Sequence, residues 1–111
     1  IVWFEDADLD RALDGAILGI YSNNGQQCLA GSRILVERSI ADEFIEKFVA
    51  RTKNIKVGDP MDANTEIGPV AYRAHMERVL SFVDIAKKGA KRQVVDGGDT
   101  KEGVRLVRAE G

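Results

Sequence analysis

The chain has 111 residues, 44% hydrophobic and 6% aromatic, with 16 basic and 18 acidic side chains for a net charge of −2. That balance implies no general attraction to nucleic acid or to an anionic membrane, and so few aromatics offer no row of base-stacking platforms. One cysteine excludes an internal disulfide framework, leaves too few thiols for a structural zinc site, and suits a reducing, cytoplasmic compartment.

No apolar run approaches the ~20 residues that span a bilayer. Ile1-Val2-Trp3-Phe4 is too short for a secretory signal and runs straight into acidic residues. The length suits one domain at most. The chain opens without Met on what reads as a strand and stops at Gly111 without a closing element, so it is expected to be an internal piece of a larger protein.

Ile1-Val2-Trp3-Phe4 reads as a short buried strand. Asp6 or Asp8 is placed to cap the next helix, and the cluster Glu5, Asp6, Asp8 and Asp10 suits a positive helix N-terminus. Leu9, Leu13, Ile17 and Ile20, with Ala12 and Ala16, recur at helical spacing and form one apolar face. Gly15 and Gly19 either weaken this helix or let something pack close against it. Asn23-Asn24-Gly25 ends it, because Asn and Gly tolerate the left-handed conformation of a helix stop.

Ile34-Leu35-Val36 is the second strand, running to about Arg38, and Ser39 is placed to cap the helix that follows. Phe44, Ile45, Phe48 and Val49 supply that helix's core face. Residues 58–71 form a long irregular connection holding both prolines, a length usually functional or packed on a neighbour. A third helix runs from about Tyr72 to Lys88 with the stripe Met76, Val79, Leu80, Val83 and Ala86, and Gly89 stops it. Gln93-Val94-Val95 reads as a strand, Asp96-Gly97-Gly98-Asp99 as a turn, and Val104-Arg105-Leu106-Val107 as a further strand. The order β-α-β-α-α-β, with this last strand after it, points to an α/β fold with a layered sheet and flanking helices.

The stretch from Tyr21 to Arg33 sets the single thiol, Cys28, in a Gly/Asn/Gln turn between a helix and a strand. Such a thiol is a candidate nucleophile, and it is also a candidate inert packing residue of a non-catalytic α/β module, the reading that the physics alone favours. Only a thiolate attacks, and at a reference pKa of about 8.5 roughly 3% of a free thiol is ionised at neutral pH. Turn amides around Gly25-Gln26-Gln27 are a local means of stabilising the sulfur or a developing oxyanion. His75, the sole histidine, is either a partly exposed helix residue or the partner of Cys28 in a Cys–His hydrolase.

The pattern Tyr21-x-x-x-Gly25-Gln26-x-Cys28-Leu29-Ala30-x-Ser32-Arg33 resembles the cysteine active-site signature of the NAD(P)-dependent aldehyde dehydrogenases. Asp6-Ala7-Asp8-Leu9-Asp10, Ser32-Arg33-Ile34-Leu35-Val36, Val57-Gly58-Asp59-Pro60 and Thr65-Glu66-Ile67-Gly68-Pro69 resemble further landmarks of that family, in the same order. The likeness covers nearly the whole chain.

The resemblance implies that residues 1–111 are a partial, cysteine-bearing catalytic domain, with the dinucleotide-binding and oligomerisation segments elsewhere. It implies oxidation of an aldehyde to a carboxylic acid with NAD or NADP: Cys28 adds to the carbonyl, hydride leaves to the nicotinamide, and water hydrolyses the thioester. Gln27 and Leu29 would line the substrate tunnel, and His75 and Arg78, one helical turn apart, would lie near a cofactor ribose. No metal is expected. The family's oxyanion asparagine, general-base glutamate and dinucleotide fold lie upstream, and its ribose-contacting glutamate downstream. This piece is therefore expected to act only within a full-length, homo-oligomeric enzyme. Semialdehydes from aromatic-acid breakdown and aliphatic or betaine-type aldehydes all remain open as substrates.

Overall fold

The computed structural model describes residues 1–88, together with the backbone of strands at 92–96 and 106–109. The chain divides into two compact units, Ile1–Ile55 and Lys56–Gly111.

The first unit is a βαβ crossover followed by a helix: β1 (Val2–Trp3), α1 (Leu9–Tyr21), β2 (Leu35–Val36) and α2 (Ala41–Lys53). The two strands pair in parallel, Val2 with Leu35 and Trp3 with Val36. Two residues per strand suffice because α1 crosses between them, as a parallel pair requires.

Of the two capping candidates before α1, Asp8 is the one used. It holds extended backbone (φ −66°, ψ 109°) and its carboxylate accepts from the Arg11 N–H at 3.1 Å. The expected apolar face of α1 is the face turned inward: Ala12, Leu13 and Ala16 are buried, and Leu9, Ile17 and Ile20 are half-buried. Against it α2 sets Phe44, Phe48 and Thr52, spaced four apart and all buried. Phe48 stacks on Phe44 at 5.7 Å and on Tyr21 at 6.1 Å between ring centroids. Burying side chains of this size stabilises a fold by about 1.5–3 kcal/mol each. The Tyr21 hydroxyl and Thr52 Oγ1 share a hydrogen bond of 3.3 Å, which satisfies the one buried polar side chain of this seam. At the rim, Arg51 reaches across to Asp10 at 3.0 Å and also pairs with Asp14.

Ser39 does not cap α2. A 3-10 turn at Arg38–Ile40 precedes the helix, so Ile40 occupies the cap position and makes no side-chain cap bond. The Ser39 hydroxyl donates instead to Glu5 Oε2 at 3.1 Å, and the Glu5 N–H donates to Glu37 Oε2 at 2.8 Å. Asp42 and Glu43 in the first turn supply the negative charge that a helix N-terminus favours.

In the second unit, the connection before the next helix is less irregular than its composition suggests. Val57 and Ile67 form a parallel bridge, with the Gly58 N–H donating to Ile67 O at 3.0 Å and the Glu66 N–H to Lys56 O at 2.9 Å. Between these ends, Asp59 and Asp62 fold the chain through bonds from the Met61 and Asn64 amides to their own carboxylates, each 2.9 Å. Helix α3 spans Arg73–Lys88. Val83 and Ala86 are its buried residues and Met76 and Leu80 are half-buried, but Val79, expected on the same stripe, is 45% exposed. The buried line thus runs along the Met76–Leu80–Val83 edge, and Val79 falls on the wide side of the arc. Strands β3 (Arg92–Asp96) and β4 (Leu106–Ala109) pair antiparallel, with a register irregularity between Val94 and Asp96. The expected strand at 93–95 lies within β3, and Leu106 and Val107 of the strand expected at 104–107 lie in β4. Asp96 of the expected turn ends β3, while Gly97, Gly98 and Asp99 of that turn, Val104, Arg105 and the expected stop at Gly89 lie outside the described residues.

Candidate active site: the cysteine loop

Helix α1 ends at Tyr21, where the Ser22 N–H and hydroxyl both donate to Leu18 O, the hydroxyl at 2.6 Å. Three left-handed residues follow: Asn23 (φ 51°), Asn24 (φ 59°) and Gly25 (φ 70°). Asn tolerates this region better than other side chains, and Gly pays no steric cost there. Gly25 is required on a second ground, because a Cβ at this position would lie 2.9 Å from the backbone oxygen of Ile20. Asn23 closes the corner by accepting from the Gln26 N–H at 3.0 Å and donating from Nδ2 to Gln26 O at 3.3 Å.

A second turn follows, closed by the Ala30 N–H donating to Gln27 O at 3.2 Å. Cys28 and Leu29 are its two central residues. Gln27, Cys28 and Leu29 are all exposed, Leu29 to 81%. Cys28 is a free, exposed thiol. The Ser32 N–H then donates to Ala30 O at 2.9 Å, and the Gly31 N–H donates back to Gly19 O at 2.8 Å. That last bond joins the exit of the loop to the final turn of α1, so the eleven residues from Ile20 to Ala30 form a closed excursion.

The N–H groups of Gln26 and Ala30 are used inside the loop. Among the described residues, those of Gln27, Cys28 and Leu29 have no acceptor. The turn therefore presents a sulfur and, on the same three residues, amide hydrogens without an acceptor among the described residues.

His75 and Arg78 sit one turn apart on α3, in the second unit. His75 is half-buried, its ring 5.9 Å from that of Tyr72, and Arg78 is exposed. Both offer N–H donors suited to a ribose hydroxyl or a phosphate oxygen. Among the described residues, no group of three or more His, Cys, Asp or Glu side chains is arranged to hold a metal ion, and no helix is long and apolar enough to cross a membrane.

The residues that close the loop's neck escape a sequence reading. Gly31 occupies a variable position of the cysteine pattern, and its partner Gly19 shows only that something packs closely there. That something is the Ile1 side chain, whose Cδ1 would be 3.1 Å from a Cβ on Gly19. The corresponding neighbour of Gly15 is the Trp3 ring, at 3.7 Å.

The model of the aldehyde dehydrogenase family matches residues 1–107 of this chain. An aminoaldehyde dehydrogenase of Arabidopsis thaliana, described as chloroplastic, is 45% identical over 103 residues, which is 92% of this chain and 20% of that protein. The 4-trimethylaminobutyraldehyde dehydrogenase of Homo sapiens is 43% identical over 100 residues, covering 89% of this chain and 20% of its own length. A crystal structure of betaine aldehyde dehydrogenase from Staphylococcus aureus in complex with NAD+ superimposes with a TM-score of 0.86 at 38% identity, over 96% of this chain and 23% of that one. The chain spans about a fifth of the length of the curated relatives it matches. With its α/β element order, its cysteine loop and a match across nearly its whole length, the chain belongs to the aldehyde dehydrogenase family.

Proposed function

We propose that this chain is the nucleophile-bearing segment of an NAD(P)+-dependent aldehyde dehydrogenase, which oxidises an aldehyde to a carboxylic acid in its full-length, homo-oligomeric form. The observation that carries the reading is the exposed Cys28 thiol at the centre of a turn in which the Gln27, Cys28 and Leu29 amides have no acceptor among the described residues.

In this reading the Cys28 thiolate attacks the carbonyl carbon and converts it to a tetrahedral centre. The former carbonyl oxygen becomes an oxyanion, and the Cys28 N–H donates to it. A donor of this kind contributes about 2.7–4 kcal/mol to the transition state. Gln27 and Leu29, flanking the sulfur and exposed with it, meet the rest of the aldehyde. The nicotinamide cofactor, when bound, would supply the hydride acceptor. Half-buried His75 and exposed Arg78 would donate to its ribose. The names of the relatives put amino- and trimethylammonium-bearing aldehydes first in any substrate panel.

The test is trapping. The full-length enzyme is mixed with aldehyde and NAD+, quenched in acid, and its peptides are weighed. The expected adduct is an acyl group on Cys28, and Cys28→Ser is expected to lower turnover by roughly 1,000-fold or more. An adduct on another residue, or unimpaired oxidation by Cys28→Ser, would end the proposal.

A further inference from the structure

We infer that Gly31, working against Ile1, is a positioning residue for Cys28; this rests on the nucleophile reading above and adds to it the device that sets where the sulfur sits. Ile1 is fixed on both sides by the chain entering β2. Its nitrogen donates to Arg33 O at 3.1 Å, and its carbonyl accepts from the Leu35 N–H at 2.9 Å. So held, its side chain, 40% exposed, lies against the last turn of α1 and the exit of the cysteine loop at once. A Cβ on Gly31 would lie 2.5 Å from Ile1 Cδ1 and 3.0 Å from Cγ1.

Turning the end of the Ile1 side chain moves Cδ1 but leaves Cγ1 in place, because a β-branched residue is stiff at χ1. A methyl on Gly31 is therefore relieved by turning Cδ1 aside and by a few tenths of an ångström of separation between Cγ1 and the loop exit. Gly31 is bonded to Gly19 at 2.8 Å and lies three residues after Cys28, with the tight turn from Gln27 to Ala30 between them. That short, hydrogen-bonded path carries a shift at the neck to the sulfur. A displacement on the order of 1 Å at a reacting atom costs about 100-fold in rate, and a few tenths of an ångström costs correspondingly less.

Gly31→Ala in the full-length enzyme is expected to lower kcat by roughly 5- to 10-fold, with the KM for the nicotinamide cofactor unchanged. Alkylation of Cys28 by iodoacetamide, a small electrophile that needs no docking, is expected to keep its wild-type rate. General loosening of the fold would move all three quantities. Because the clash is with two named atoms, removing them is expected to undo it: Ile1→Ala combined with Gly31→Ala should return kcat to within about threefold of Ile1→Ala alone. Wild-type kcat in Gly31→Ala, or no recovery in the double variant, overturns the inference. Where Gly31→Ala yields no folded protein, Ile1→Phe presses on the same neck from the strand side. It is expected to lower kcat in the same way, and wild-type kcat there overturns the inference as well. An acyl adduct on Cys28 without any of these effects removes the positioning role alone. The lack of any adduct on Cys28 removes both the role and the reading beneath it.

Discussion

The α1–α2 seam and the loop that leaves α1 at Tyr21 are neighbours in sequence and opposites in how they are held. The seam is built of side chains: Leu13, Phe44 and Phe48 buried together, Tyr21 stacked on their edge and Arg51 tied across the rim. The loop is built of backbone. Its bonds run from Gln26 to Asn23, from Ala30 to Gln27 and from Gly31 to Gly19, and its corner is three residues in the left-handed region. Burial is non-directional, so the seam supplies stability without needing fine placement. Backbone hydrogen bonds and restricted dihedrals supply placement while burying little. The loop holds Cys28 by these second means.

The seam offers the largest effect that could break this contrast. Phe48→Ala removes a ring that is 2% exposed and stacked on two others. It is expected to cost about 3–5 kcal/mol, read by urea or thermal unfolding of the intact protein. Turnover per folded molecule is expected to stay near wild type. If turnover fell in step with stability, seam and loop would be one structural unit and the contrast would fail.

A smaller stability effect with a larger functional one is expected at the corner. Gly25→Ala adds a single carbon, at φ 70° and 2.9 Å from Ile20 O. Strain of this kind costs about 1–3 kcal/mol, less than the lost ring of Phe48. Yet its relief must come from the backbone that leads to Cys28, so kcat is expected to fall more than in Phe48→Ala. A Gly25→Ala enzyme with unchanged kcat would mean that the corner is only a helix stop.

Much of this architecture can be read from local sequence because local rules decide it. The stripe on α1, the Asp8 cap, the stop at Asn23-Asn24-Gly25 and the order of elements follow from helical period and from φ preferences within a few residues. Cys28 stands out because its turn carries a recognisable pattern. What escapes is set by partners distant in the chain. The Ser39 hydroxyl bonds to Glu5, 34 positions away, rather than to its own helix. The close approach of Ile1 to Gly31 exists only because β1 and β2 lie side by side. The exposure of Val79 turns on which edge of α3 is covered, and periodicity alone leaves that open by one residue.

The finest test of the seam as a side-chain assembly is on its wet side. Lys47 Nζ lies 2.8 Å from Glu43 Oε1, one helical turn away. The hydrogen bond that Lys47 donates to Glu43 holds its ammonium above its ordinary 10.5, helped by the charges of Glu43 and Asp10 and opposed by desolvation and by Arg51. A folded-state value above the unfolded one means that the fold favours the protonated lysine. The pair's small stabilisation is therefore fully present below pH 10.5 and is lost as pH rises through the folded-state value above it. Lys47→Met is thus expected to be slightly less stable than wild type at neutral pH. The gap should close on raising the pH past 10.5 or on adding salt, which screens exposed pairs. A gap indifferent to both would mean that the lysine contributes through the packing of its hydrocarbon stem, as the rest of the seam does, and not through its charge.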